Sequence, residues 1–412
     1  TNDFTVECWV YLTTQDPTPY QIQAIFNLRS GNAYGTTNHG ASGVYLASRG
    51  GTYDYWQIGV GGTYYTNYQN ALALPTAGAW THIAHIRKDN VAKIFVNGNG
   101  VGQAADATNY SSETHLAIGG YYWTGNSTFN GYISNFRYHV GTVPYTISGA
   151  TGGSSNFPNG GSDVLTAANV PALGADDWTI EFWIKGTHIF QAGLCQIGKD
   201  NGSLFIMLMA NGTIRVGKSN VAGVYDTATQ ITTNNWFHIA VVNDGTANTQ
   251  TTYINGVADA NTGSESSAFT YTEDTVIIGG RYYSGSYQNT WYRYLSNFRI
   301  TKAKVYSSNF IPPSAALTDI SNCQLLTCQN SSGAITDASS NSLTITSPGS
   351  VAAISTQNPN VGTITPPTSA LTAISGTKLL TANDSNVIND ASSEGVSLTA
   401  NGDAVATRLT PF

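Results

Sequence analysis

An all-β protein is what these 412 residues predict: two tandem jelly-roll β-sandwiches followed by a β-rich repeat tail. Three observations carry this expectation. Five sequence blocks recur in the same order in two parts of the chain, which marks an internal duplication. Apolar and polar residues alternate within the blocks, the period of a half-buried strand. No segment keeps a helical period for more than about two turns.

The blocks come first because they fix the organisation. Asp3-Phe4-Thr5-Val6-Glu7-Cys8-Trp9-Val10 returns as Asp177-Trp178-Thr179-Ile180-Glu181-Phe182-Trp183-Ile184. Trp80-Thr81-His82-Ile83-Ala84 returns as Trp236-Phe237-His238-Ile239-Ala240, and Phe95-Val96-Asn97-Gly98 as Tyr253-Ile254-Asn255-Gly256. Ile118-Gly119-Gly120 returns as Ile278-Gly279-Gly280, and Ile133-Ser134-Asn135-Phe136-Arg137 as Leu295-Ser296-Asn297-Phe298-Arg299. In the first block Phe4, Val6, Cys8 and Val10 alternate with Thr5, Glu7 and Trp9. The two Asn-Gly pairs sit between β-rich runs and read as type I′ hairpin turns, whose central residues both need positive φ. Many short strands with Gly and Asn turns build sandwiches or jelly rolls.

The order of these motifs, from FTVECWV through W-x-H-I-A and I-F-V-N-G to I-S-N-F-R, resembles the concanavalin A-like, laminin-G-like jelly-roll family. The resemblance spans residues 1–146 and again about 156–310. It implies the fold and says little of function, since that fold hosts lectins, glucanases, adhesive modules and virion proteins. One departure stands out. Asp163-Val164-Leu165 precedes the first block of the second copy and resembles the family's opening strand, whereas the first copy begins directly at the block.

The expected boundaries are a sandwich at 1–146, a Gly-rich linker at 147–160, a sandwich at 161–310, and two β-rich repeats at 311–365 and 366–412. The repeats follow from Pro312-Pro313 with Leu325-Leu326-Thr327 and Asp337-Ala338-Ser339-Ser340. These recur as Pro366-Pro367, Leu379-Leu380-Thr381 and Asp390-Ala391-Ser392-Ser393. Neither repeat has enough strand to bury a core alone. Such tails resemble linking segments in tail and surface proteins of marine bacteriophages. That resemblance implies a virion appendage (tail fibre, spike or decoration) at an extracellular surface, with other virion proteins and a homo-oligomer as partners. A secreted cellular lectin or adhesin and a ligand-free coat subunit stay open as alternatives. The start at Thr1 fits either a processed terminus or a piece of a longer polypeptide. The missing first-copy strand is then expected from upstream residues, with strand donation by Lys378–Ala382 of a neighbouring chain as the alternative.

Composition narrows the function. Charged residues are 10% of the chain and glycines number 43, so the surface is built from hydroxyl and amide groups. Its 17 basic residues form no cluster and the net charge is −7, which excludes a phosphate-binding footprint and hence nucleic acid. No apolar run approaches the roughly 20 residues of a membrane span. Four cysteines, Cys8, Cys195, Cys323 and Cys328, make no disulfide framework. Cys323 and Cys328 on one strand would stand about 16 Å apart on opposite faces, too far to pair.

No enzyme is expected. Glycoside hydrolysis needs a carboxylate pair, and the six glutamates, Glu7, Glu113, Glu181, Glu265, Glu273 and Glu394, show no Glu-x-Asp-x-x-Glu pattern. Shared residues read as structural: His82 and His238 as strand residues, and Trp9, Trp80, Trp183 and Trp236 as core. Glu7 and Glu181 read as hydrogen-bonded strand carboxylates. Calcium, which relatives of this fold bind, stays open, although Asp89 and Asp244 lack ligand-rich spacing. The residues that differ between copies are the candidates for carbohydrate binding: Tyr121, Tyr122, Trp123, Tyr53, Tyr55, Trp56, Tyr282 and Tyr283. Tyrosine and tryptophan rings beside amides suit the C–H faces and hydroxyls of a cell-surface glycan. Packing of the same rings on the sheet is the alternative.

Overall fold

The structure, a computed structural model, describes residues 3–412 except 15–21, 30–41, 49–52, 61–62, 69–73, 112, 114, 121–127, 159–161, 187–189, 200–201, 220–224, 233, 265–273, 384–388, 401–403 and 408. The chain divides into two compact units. Unit 1 holds residues 1–150 and 361–412, and unit 2 holds residues 151–360.

Unit 1 begins with β1 (Phe4–Leu12), β2 (Ile22–Arg29), β3 (Ser42–Ser48), β4 (Tyr53–Val60) and β5 (Thr63–Tyr68). It continues with β6 (Trp80–Lys88), β7 (Val91–Val96), β8 (Asn99–Ala105), β9 (His115–Ile118) and β10 (Gly131–Val140). One sheet runs β10-β1-β6-β7-β8 and the other β5-β4-β3-β2-β9. The predicted alternation is realised in β1. Phe4, Val6, Cys8, Val10 and Leu12 point inward to meet Phe26, Val44, Leu46 and Ile58 of the facing sheet. Asn97 and Gly98 have φ of 47° and 82°, the positive values of the expected hairpin turn.

Unit 2 opens with β11 (Ser154–Asn156) and β12 (Leu165–Ala167), then β13 (Trp178–Lys185), β14 (Ala192–Ile197), β15 (Leu204–Leu208), β16 (Thr213–Lys218) and β17 (Tyr225–Gln230). Next come β18 (Trp236–Asp244), β19 (Thr249–Ile254), β20 (Val257–Gly263), β21 (Val276–Ile278), β22 (Arg281–Tyr283), β23 (Ser286–Gln288) and β24 (Tyr294–Thr301). Its tail repeat supplies β25 (Cys323–Thr327), β26 (Ile345–Thr346) and β27 (Ala352–Ile354). One sheet has the order β20-β19-β18-β13-β24-β11-β27, and the other β17-β16-β15-β14-β21-β12-β26. Even the irregularity is duplicated, since the bulge between Glu7 and Trp9 against β10 recurs between Glu181 and Trp183 against β24.

The tail repeats are not freestanding. In unit 2, β25 lies antiparallel on β24. In unit 1, β28 (Thr377–Thr381) lies antiparallel on β10. The segment named as the alternative donor to a neighbouring chain is therefore paired within its own chain, across some 240 positions of sequence. Nor is the Gly-rich join a bare linker: Ser148 pairs with Thr363, and Ser154–Asn156 form β11.

The duplication locates the point where one unit interrupts the other. The Phe310 amide donates to Gly256 O at 2.9 Å, and the Ile364 amide donates to Gly98 O at 2.8 Å. A Cβ on either glycine would collide with the carbonyl of Phe310 or Ile364. Ile364 is thus the counterpart of Phe310, which follows Tyr306 by one short turn. In unit 1 the whole of unit 2 stands between Tyr145 and Ile364.

These returning residues form a second apolar layer outside the main sandwich. Val361 and Ile364 pack with Tyr145 on Ala84, Ile86 and Phe95, as Tyr306 and Phe310 pack on Ala240, Val242 and Tyr253. That layer corrects one expectation. Trp9, Trp80, Trp183 and Trp236 are half-buried, on the face of their strands opposite the core. Trp9 instead meets His82 and Phe412, at 5.3 and 5.5 Å between ring centres. The four cysteines are buried and free, with Cys323 and Cys328 in different apolar clusters.

Candidate functional site

Two constellations of polar and aromatic residues stand out, one buried and one on the surface. In the buried one, Glu7 lies directly across from Arg137, whose Nε and Nη2 donate to Glu7 Oε1 at 2.9 and 2.6 Å. Glu7 Oε2 accepts from the Tyr145 hydroxyl and stands 3.3 Å from His82 Nε2. Unit 2 repeats this atom for atom. Arg299 donates to Glu181 Oε1 at 3.0 and 2.5 Å, Tyr306 donates to Oε2 at 2.7 Å, and His238 Nε2 stands 3.2 Å away.

Burial alone would raise the pKa of either glutamate. Hydrogen bonds from the histidine and tyrosine, together with the arginine charge, outweigh it and hold both carboxyls below the ordinary value. Both carboxylates are shut off from solvent and fully engaged, so neither can take a cation or a substrate proton. The cluster works mechanically instead. Arg137 Nη1 donates to Thr372 O at 3.1 Å and Arg299 Nη1 to Thr318 O at 2.9 Å, so each clamp ties a tail repeat to its sandwich.

The surface constellation lies in unit 2. Ser284 and Gly285, with φ of 50° and 86°, turn the β22–β23 hairpin. This sets Tyr282 opposite Tyr287, edge to face at 5.3 Å. The Gln196 side chain fixes the hairpin's base: its Oε1 accepts from Tyr282 N at 2.9 Å, and its Nε2 donates to Tyr282 O at 3.0 Å. Lys199 Nζ sits 5.1 Å over the Tyr282 ring, and Tyr283 is 42% exposed. Arg281 crosses the Phe205 ring at 4.5 Å and donates from Nη2 to Ser219 Oγ at 3.1 Å. Its buried Nε has no hydrogen-bond partner among the described residues.

Phe205 and Met207 share the outer face of β15, because Leu204, Ile206 and Leu208 fill the core. That face continues to Arg215, held bidentate by Asp226 at 2.6 and 2.8 Å. Beside the pair lies a shallow depression of about 510 Å³, lined by Tyr225, Asn261 and Thr262. The result is a strip of tyrosine rings, amides and guanidinium groups on one sheet face.

Of the residues named from sequence, Tyr282 and Tyr283 fall in this strip. Trp56 does not belong to any platform: it is fully buried in the unit 1 core, because it alternates with Tyr55 and Gln57 on β4 and takes the inward face. Tyr53 and Tyr55 lie on β4, but their side chains lie outside the described residues, as do Tyr121, Tyr122 and Trp123 entirely. Gln196, Lys199 and Tyr287 are not singled out by the sequence. The Ser284-Gly285 pair between two tyrosine runs was the available signal for the hairpin. Trp291, just before β24, is fully buried, whereas Phe129, just before β10, is half-buried.

Of the two calcium candidates, Asp244 has both carboxylate oxygens engaged. Asp244 Oδ2 accepts from Lys304 Nζ at 2.6 Å and Oδ1 from the Ala247 amide at 2.8 Å. Asp89 lies at the hairpin between β6 and β7, where its amide donates to Asp3. Among the described residues no group of three or more His, Cys, Asp or Glu converges on a metal position.

A duplicated two-sheet sandwich of this topology defines a jelly-roll protein. The family model described as the concanavalin A-like lectin/glucanases superfamily matches residues 1–142 and 159–308, more than half the chain, and the chain belongs to that superfamily. No curated protein sequence matches it. Similar solved structures include a putative carbohydrate binding protein from Bacteroides ovatus, at 13% identity and TM-score 0.41, covering 86% of this chain and 93% of that one. Domains LG4-5 of the mouse laminin alpha1 chain match at 12% identity and TM-score 0.29, covering 75% and 86%. A heptameric SAP-like pentraxin from Limulus polyphemus matches at 18% and 0.31, covering 38% and 79%. At these scores the likenesses add nothing to what the family match establishes.

Proposed function

We propose that the chain is a non-enzymatic adhesion protein of an extracellular or virion surface, and that unit 2 reads a host glycan through the tyrosine strip on β22 and β23. The carrying observation is the hairpin itself. Tyr282, Tyr283 and Tyr287 present ring area at a site fixed by the Gln196 side chain, with cationic and amide groups beside them. Pyranose rings pair apolar C–H faces with hydroxyl groups, and this mixture matches both. Arg281 and Lys199 favour a glycan carrying carboxylate or sulfate over a neutral one.

Support for a binding role over catalysis comes from the carboxylates. The strand glutamates are sealed inside clamps, and Asp226 in the depression is held by Arg215. Surface placement rests on the uncharged, amide- and hydroxyl-rich composition. A glycan array with the full chain should show acidic glycans retained, and Tyr283→Ala should weaken binding at least tenfold with an unchanged melting temperature, since a half-exposed ring adds little to the core. Retention of neutral glycans only, or equal binding by Tyr283→Ala, would remove the strip from the reading. Mass spectrometry of purified source particles tests the virion placement, and turnover of any bound glycan would end the non-enzymatic assignment.

A further inference from the structure

Both tail strands lie at the outside of their sheets, and both have their outer edge covered in the same way. Among the described residues β25 pairs with β24 alone, and β28 with β10 alone. A strand in that place offers a row of free amides and carbonyls to any strand that comes alongside. Here the row is already taken. The Leu326 amide donates to Asp337 Oδ1 at 2.9 Å, and the Leu326 carbonyl accepts from the Ala338 amide at 2.6 Å. The Leu380 amide donates to Asp390 Oδ1 at 3.0 Å, and the Leu380 carbonyl accepts from the Ala391 amide at 2.7 Å.

Each aspartate does more than cap one amide. Asp337 also accepts from the Ser339 amide at 2.9 Å, the Ser339 hydroxyl at 2.8 Å and the Leu343 amide at 2.8 Å. Asp390 accepts from the Ser392 amide and hydroxyl at 2.9 and 2.8 Å, and from the Val396 amide at 2.8 Å. The carboxylate thus winds the segment behind it into a loop and holds that loop beside the strand. A chain leaving a strand needs only a turn. These loops instead return to the strand they left, Asp337 eleven positions beyond Leu326 and Asp390 ten beyond Leu380.

We propose that the loops Asp337–Leu343 and Asp390–Val396 are edge guards, which occupy the outer hydrogen-bonding groups of β25 and β28 and so keep a second copy of this chain from adding a strand there. The one difference between the loops follows the same logic. Two residues along β25, the Gln324 carbonyl accepts from the Asn341 side chain at 3.0 Å, which extends the cover. The unit 1 counterparts are Lys378 and Glu394, whose exposed side chains pair with each other at 2.6 Å. Glu394 has no amide to give, and the lysine does the work instead, because a charge on an edge strand deters another strand from pairing with it.

The test compares the full chain with its Asp337→Ala and Asp390→Ala variants by sedimentation over a wide range of concentration. Asp337→Ala should form species at least twice the mass of the unsubstituted chain as concentration rises, with its folding transition retained. Amide exchange at Leu326 should be fast in the dilute variant and slow again in the associated form. Asp390→Ala, whose edge keeps Lys378, should associate in this way only in 1 M salt, with Leu380 as the reporter. Adding Gln324→Lys to Asp337→Ala copies the unit 1 edge and should reverse the association at low salt. A variant that exposes Leu326 or Leu380 to exchange yet sediments as the unsubstituted chain does would overturn the proposal. So would association that the added lysine leaves untouched. Loss of a unit's folding transition would overturn it too, since the aspartate would then support the fold rather than guard its edge.

Discussion

Unit 1 and unit 2 are built on one plan, and they differ where the plan is interrupted. Both clamp a tail repeat with a buried Glu–Arg–His–Tyr cluster, both place a β-strand from that repeat against the strand that contains Asn-Phe-Arg, and both carry an outer apolar layer. Unit 2 is contiguous, and its β21 is paired on both sides, by β14 and β12. Unit 1 is split by the insertion of unit 2, and among the described residues its β9 pairs with β2 alone. The lesson is that closure by the tail is part of the domain itself, because the same clamp survives a separation of more than two hundred residues between the parts it joins.

The strongest way to break this comparison is to break the clamps. Glu7→Gln and Glu181→Gln each leave a buried arginine without its counter-charge, which costs about 3–5 kcal/mol. The two losses should be similar, and hydrogen exchange should place each in its own unit. A large loss for Glu181→Gln with none for Glu7→Gln would show that the unit 1 tail is held by something else. The sign with pH follows from the lowered carboxyl pKa. The contribution is fully present above the ordinary carboxylate range and disappears as pH falls through the depressed folded value.

A second difference should separate the units in mild acid. His85 of unit 1 stands in the core between Phe4 and Phe26, at a position where unit 2 has Val241. Burial lowers its pKa to about 4. The unfolded chain takes up the proton near 6.5, so unit 1 loses stability as pH falls from about 6.5 to about 4, by about 3 kcal/mol in all. His85→Val should abolish that slope, read from urea unfolding midpoints at pH 7 and pH 5. A slope unchanged by the substitution would place the acid sensitivity elsewhere.

These contrasts also show what a sequence exposes and what it conceals. Strand pattern and duplication were legible because alternation and Asn-Gly turns are local signals, and the positive φ of Asn97, Gly98, Asn255 and Gly256 realises them. Pairing of Thr377–Thr381 with β10 was not legible as an event within one chain, since a five-residue strand carries no information about a partner so distant in sequence. Trp9 was misassigned to the core although its own alternation put it with Glu7 on the opposite face. That face carries an apolar layer contributed by returning and tail residues, so a large ring there signals burial under another segment. Trp56 erred in the other direction: surrounded by tyrosines in sequence, it takes the inward register of β4. In the candidate site, the rings were legible and their supports were not, because Gln196 and Lys199 reach Tyr282 from more than eighty positions away.

The smallest expected effect concerns the surface of the docked tail. In unit 1, Lys378 Nζ lies 2.6 Å from Glu394 Oε1, with side chains 46% and 42% exposed. The corresponding unit 2 positions are Gln324 and Asn341, and there the Asn341 amide donates to Gln324 O at 3.0 Å. If surface charge held the tail, the uncharged unit 2 version would need compensation elsewhere. Instead both tails share an aspartate in an Asx turn: Asp337 and Asp390 accept from the Ser339 and Ser392 amides two positions on, and also from the strand amides of Leu326 and Leu380 at 2.9 and 3.0 Å. The double variant Lys378→Gln with Glu394→Asn should therefore cost about 0.5 kcal/mol or less at low salt, with the difference gone in 1 M salt. Asp390→Ala, which removes the shared turn, should cost more than that double variant at every salt concentration. The reverse ranking in chemical denaturation would mean that the ion pair, absent from unit 2, is what docks the unit 1 tail.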